Sequence, residues 1–366
     1  MSKKKSELEL AQERVQKTID ETNKKIDELG KETYDLYVSL TKIQELFDTI
    51  RNIPSEDKLK YEKLKKVRLE WKKQVDKIEE DYKKAAAKNA GAGAAGAGVG
   101  VAVVAMGPSV AMGVATTFGV ASTGTAISTL SGAAATNAAL AWLGGGALTA
   151  GGGGMVAGQA LLSLAGPIGW AIAGVSILTS GILFFKSKKD QAILEDIFIS
   201  ICERDEKSYQ LAIVELNERI KRIINETKML NEGFKEMLTF GIDYKKMTEK
   251  QQYLLGAYVN LMLSSTQLLV NPILGLQPKY TEEDFNKYLA WPRKDAEDSI
   301  CKENKVLIIT LANFLYGILL DPNEQKLLWK SLKKNKEMLK SMGVSKRDFS
   351  FEIMDIVEEA LDYKKR

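Results

Sequence analysis

No histidine occurs in the 366 residues, which excludes the commonest general base, the usual metal ligand and every Ser-His or Cys-His nucleophile arrangement. The two cysteines, Cys202 and Cys301, have neither metal-site spacing nor the density of a disulfide framework, and read as unpaired thiols in helices. Carboxylates cluster at Glu79, Glu80 and Asp81 and at Glu282, Glu283 and Asp284, in helical or capping contexts where they read as solvated charge. Gly91, Gly93 and Gly96 fit G-x-G-x-x-G, but that loop cradles phosphate only between a strand and a helix. Here it follows a lysine-rich helical run and sits among many other glycines, so composition accounts for the match. No P-loop, nucleophile elbow or D-x-D pair is present. The residues therefore predict no enzyme, no metal and no cofactor.

Lys and Arg total 52 against 48 Asp and Glu, a formal net charge of +4, too even a balance for a nucleic-acid binder that must neutralise phosphates. The average hides two compositions. From residue 89 to residue 185 there are 97 positions without Asp, Glu, Lys or Arg, and they hold 22 of the 29 glycines. On either side the chain is rich in Lys and Glu. Four regions follow: 1–88, an N-terminal amphipathic helical hairpin; 89–185, the uncharged glycine-rich segment; 186–270, long amphipathic helices that can pack on the N-terminal arm; and 271–366, a C-terminal helical region.

Within the uncharged segment, residues 158–185 are long and apolar enough to span a bilayer as a helix. Gly158, Leu161, Leu162 and Leu164 lead into Gly166, Pro167, Ile168, Gly169 and Trp170. The run continues through Ile172, Gly174, Val175, Ile177 and Leu178 to Gly181, Ile182, Leu183, Phe184 and Phe185. Pro167 is compatible with a spanning helix, and Gly166, Gly174 and Gly181 place small residues near one face, where helices associate closely in lipid. Residues 93–120 are a weaker companion span, and Gly151 to Gly154 read as a flexible turn in the hairpin between them. Lys83, Lys84 and Lys88 precede the segment and Lys186, Lys188 and Lys189 follow it, so both ends of an even number of spans would lie on one side of the membrane. A solvated linker is excluded for residues 161–185 by their apolar content; burial inside a bundle that never meets lipid is the competing reading.

The elements that must carry this segment show one grammar. From Leu8, steps of four and three residues reach Gln12, Val15, Ile19, Thr22, Ile26, Leu29, Thr33, Leu36, Leu40, Ile43, Phe47 and Ile50, with ten of thirteen positions apolar. Such a seam predicts a helix of ~60 Å lying along a partner. Pro54 ends it, and Leu64, Val67, Trp71, Val75, Ile78 and Tyr82 share one face of a second helix, giving an antiparallel hairpin. A second seam runs through Tyr209, Ile213, Leu216, Ile220, Ile223, Thr227, Leu230, Phe234 and Met237. Residues 251–270 are helical up to Asn271 and Pro272; a loop containing Pro278 and Pro292 follows, then an apolar core helix at 306–320 and helices at 322–340 and 349–361. The fold class is an all-α elongated bundle of coiled-coil-like helices with a glycine-rich apolar hairpin. The N-terminal twelve residues lack the apolar core of a cleavable signal, so synthesis in the cytoplasm is expected, followed by membrane association, with export to a target-cell membrane as one route.

Long heptad-bearing helices (8–82 and 209–237) enclosing one apolar block (89–185) resemble in plan the α-helical pore-forming toxins of the cytolysin A and haemolysin BL class. The resemblance covers about two thirds of the chain and is one of architecture, not of sequence. It implies an apolar element packed away in a soluble monomer, released on membrane contact, and oligomerisation on the membrane with copies of itself or with partner chains. The block here is longer and richer in glycine than that family's tongue, and the region after Asn271 has no counterpart in it. The expected function is pore formation or permeabilisation, as a toxin or cell-suicide effector; a resident membrane-anchored helical scaffold that recruits partners is the alternative.

Overall fold

Serine and threonine start three of the helices in one way. Ser6, Thr248 and Thr281 each accept a hydrogen bond from the backbone N–H three residues on, while Glu9, Gln251 and Asp284 reach back to the cap residue. This reciprocal arrangement satisfies two of the N–H groups a helix start leaves free. The described residues of the computed structural model are 6–90, 108–118, 187–292, 298–334, 339 and 344–366. Among them the chain is all α, without a strand: α1 (Glu7–Asp48), α2 (Ser55–Ala90), α3 (Pro108–Phe118), α4 (Lys188–Met237), α5 (Glu249–Val270), α6 (Glu282–Ala290), α7 (Asp298–Glu303), α8 (Lys305–Leu315), α9 (Pro322–Lys334) and α10 (Glu352–Lys365).

Two expectations are corrected. The stretch between Pro278 and Pro292 is not only loop: α6 stands there, started by Thr281 and Asp284. The apolar helix expected at 306–320 ends at Leu315, because Gly317 adopts a left-handed φ of +75° that breaks the helical path.

All thirteen seam positions of α1 are buried, the polar Gln12, Thr22 and Thr33 included. Along α4, Tyr209, Leu216, Ile220, Ile223, Leu230 and Met237 are buried, and Ile213, Thr227 and Phe234 are half-buried. These two helices lie side by side and run parallel. Arg14 Nε donates to Glu206 at 3.1 Å and Ser39 Oγ to Asn231 at 3.2 Å, both at a sequence offset of 192 residues. The register is pinned at the far end, where the chain turns out of each helix. Arg51 N donates to Ile242 O (2.9 Å), Tyr244 N to Arg51 O (3.0 Å), and the Asn52 side chain to Asp243 Oδ1 (2.9 Å). Asn52 takes a left-handed φ of 64°, which Asn tolerates better than most residues.

The turn at residues 49–54 sends α2 back antiparallel along α1. Here long side chains bridge the helices: the Tyr61 ring lies 4.4 Å from Phe47 and the Trp71 ring 5.7 Å from Tyr37, while Arg68 Nη1 donates to Thr41 Oγ1 at 2.7 Å. In the same way α5 returns antiparallel along α4, with Ser265 Oγ donating to Glu226 at 2.6 Å and Arg219 donating to the carbonyls of Leu268 and Asn271. The long helices are thus two hairpins set parallel, with one continuous apolar core between them.

A second core forms at the opposite end. Leu194, Ile197, Phe198 and Ile201 from the start of α4, with Leu8, pack into side chains of α6 to α10 such as Phe285, Leu307, Phe314, Leu328 and Val357, and into Phe349 just before α10. Asn313 secures the chain entering this unit: its side chain accepts from Tyr280 N at 2.9 Å and donates to Tyr280 O at 2.6 Å. Arg204 ties the unit to α4. One guanidinium nitrogen donates to Phe314 O (2.8 Å) and Tyr316 O (2.7 Å) at the C-terminus of α8, and two others donate to Asp205 Oδ1. Burial pushes the Asp205 carboxyl above its ordinary range, and Arg204 pulls it back.

Replacing Arg204 leaves that carboxylate buried without its partner and two carbonyls without a donor. Arg204→Ala is expected to lower stability to chemical denaturation by ~3 kcal/mol, Arg204→Lys by less, and Arg204→Ala/Asp205→Asn to recover part of the loss.

Candidate membrane-active site

Gly158 through Phe185 and Lys186 lie outside the described residues. Lys83, Lys84 and Lys88 fall in the last turns of α2, and Lys188 and Lys189 open α4, exposed. Beyond residues 89 and 90 at the end of α2, the part of the uncharged block that is described is α3, which belongs to the expected companion span at 93–120.

Pro108 suits the first position of α3, where its missing N–H is no loss. Alanine, methionine and valine continue the helix, and the Thr117 hydroxyl donates back to Gly113 O at 2.7 Å. An isolated helix of this length is marginal in water, so α3 depends on what surrounds it. It has no solvent-facing side over its central turns, because residues 111–117 are all buried. A helix apolar all round is one that sits inside something. Its neighbours are α1, α2 and α5.

The closest of these contacts is backbone on backbone. A Cβ added to Gly30 of α1 would stand 2.1 Å from Ser109 O, and one added to Gly113 of α3 would stand 2.5 Å from Ile26 O and 3.0 Å from the Gly30 Cα. No side chain fits at either position without separating the helices. The two glycines let α3 sink antiparallel against α1, beside its seam, and the C-terminal end of α3 is closed by Ile273 N donating to Thr117 O at 2.8 Å. Gly30 is the functional residue that sequence reasoning missed. Its signal was a glycine inside a 42-residue helix, where it costs ~1 kcal/mol relative to alanine unless a close approach requires it.

The core along the long helices is not fully satisfied. Thr33 Oγ1, both polar atoms of the Gln44 amide, Trp71 Nε1, Thr116 Oγ1 and Tyr209 OH are buried without a hydrogen-bond partner among the described residues. Each such group costs about 1–3 kcal/mol relative to a paired one. Burial, and after it the Asp205 charge, pushes the Cys202 thiol up to about 11, which keeps it protonated and inert. No group of three or more metal-ligating side chains occurs among the described residues. One further stretch there, Glu249–Leu276, is long and apolar enough to cross a membrane, with half of its most apolar window buried. Comparison of the chain with protein-family models, curated proteins and solved structures finds no match.

Gly30→Leu is expected to unseat α3 while the long helices persist. Helicity by circular dichroism should fall little, stability should drop by ~2 kcal/mol or more, and binding of a hydrophobic dye should rise. Gly256→Ala in α5, where an added Cβ meets nothing within 4 Å, should be neutral or slightly stabilising.

Proposed function

We propose that the chain is a membrane-permeabilising protein, a toxin or cell-suicide effector, that carries apolar helices inside a water-soluble bundle and deploys them into a bilayer, where copies assemble. The observation that carries this reading is the burial of residues 111–117 of α3, a piece of the uncharged block, among long charged helices. A segment bound for lipid must be covered until it arrives, and the covering here uses close backbone packing rather than large side chains. Small-residue packing has a second use, since it also drives helix association within lipid, where no hydrophobic force pulls helices together. The buried polar groups that have no partner among the described residues favour rearrangement, because water can pair with them when the bundle opens. A permanent anchor inserted at synthesis would instead offer its apolar helix to lipid and have no need of a slot in a soluble bundle.

The test is fractionation of the freshly made protein followed by dye release from sized vesicles. A water-soluble protein that releases dye at micromolar concentration supports the reading. No release over neutral and anionic lipid compositions sinks it, and recovery only in the membrane fraction favours the resident scaffold.

A further inference from the structure

We infer that α5 is a second lipid-entering element, which moves into the bilayer together with α3. This rests on the permeabilising role proposed above. From Gln251 to Pro278 the chain carries no Asp, Glu, Lys or Arg, 28 residues in succession, the only such run outside the glycine-rich block that approaches a bilayer's width. The helix itself has 22 residues, ~33 Å at 1.5 Å per residue, against ~30 Å of hydrocarbon. Lysines stand at both ends, Lys245, Lys246 and Lys250 before it and Lys279 after it, where headgroups would meet them.

Exposure is the decisive feature. A helix on the surface of a soluble protein presents charge to water, as α2 does with its lysines and glutamates. The outward stripe of α5 is Tyr253, Ala257, Asn260, Leu263 and Gln267, with Tyr253 79% exposed and Leu263 40%. None of these is charged, so the stripe tolerates water and also suits lipid or an uncharged pore wall. The inward face, Leu255, Val259, Met262 and Leu269, is apolar already. The polar bonds that hold α5 to α4 are the Tyr258 hydroxyl on Glu236, the Ser264 and Ser265 hydroxyls on Glu226, and Arg219 on the carbonyls of Leu268 and Asn271, and the charged groups of α4 return to water when α5 leaves. α5 is coupled to α3 by packing and by the Ile273 to Thr117 hydrogen bond at their common end. Moving as a pair, the two place one uncharged, mostly apolar helix beside one with a polar stripe, as a pore wall requires.

Leu263→Cys in the full chain, with the buried Cys202 and Cys301 replaced by serine, takes an environment-sensitive fluorophore on the outer face of α5. The same label at Lys221→Cys on the exposed side of α4 is the control. With vesicles of phosphatidylcholine and phosphatidylglycerol, the label at position 263 is expected to brighten severalfold and to be quenched by nitroxide placed on the acyl chains, while the label at 221 stays water-like. Asn260→Lys, an exposed substitution that leaves the soluble fold unchanged, is expected to slow dye release at least tenfold. Dye release with a water-like label at 263 and unaltered activity of Asn260→Lys overturns the role of α5 and leaves the permeabilising role standing. Energy transfer between labels at 263 on two copies, without acyl-chain quenching, also overturns it and makes the stripe an interface between copies. Absence of dye release with every lipid removes both readings.

Discussion

The seating of α3 inside the bundle depends on how closely α1 approaches it. Along most of its length the α1 seam meets α4 through ordinary side-chain packing, in a register fixed at the far end by the paired turns. Beside that seam Gly30 has no side chain, and the backbone of α3 comes up against it. A methyl group there would be in contact with a carbonyl oxygen, so the depth at which α3 sits is set by the absence of atoms. Burial of the apolar surface of α3 supplies the attraction, worth about 1.5–3 kcal/mol for each large side chain such as Met112 or Val114. The glycines decide whether that attraction can be collected.

Stability is distributed unevenly around this contact. The two ends are fastened by directional bonds: the turns at Arg51, Asn52 and Asp243 on one side, and Arg204 gripping the end of α8 on the other. Between them the core carries polar atoms with no partner among the described residues, at Thr33, Gln44, Trp71, Thr116 and Tyr209. An interior of this kind holds its shape while offering a gain to any rearrangement that hydrates or pairs those groups. A protein with the proposed role needs that combination, a frame that persists and contents that can leave.

The long helices were legible because heptad spacing makes one demand over many residues. Every position of the α1 seam is buried, and so is most of the α4 seam, since a period of three and four leaves few alternatives once a helix exceeds forty residues. Legibility failed where a single residue decides. The turn at Gly317 shortens α8, and the cap formed by Thr281 and Asp284 raises α6 between two prolines that read as loop signals. Gly30 went unnoticed because its role lies in a contact with a residue 83 positions away, which no local pattern carries. Asn313 and Arg204 were invisible for the same reason: their partners are backbone carbonyls brought near only by the fold. The uncharged face of α5 was visible in composition but gained meaning only once its outward stripe was known.

The central claim is that α3 must leave its seat for a membrane to be breached. A photoreactive diazirine amino acid at position 112, where Met112 is buried within α3, tests it directly. In water it is expected to crosslink within the chain alone. With vesicles that lose their dye, the account predicts crosslinks from position 112 to the lipid acyl chains. Dye release with crosslinks that stay within the chain would contradict it.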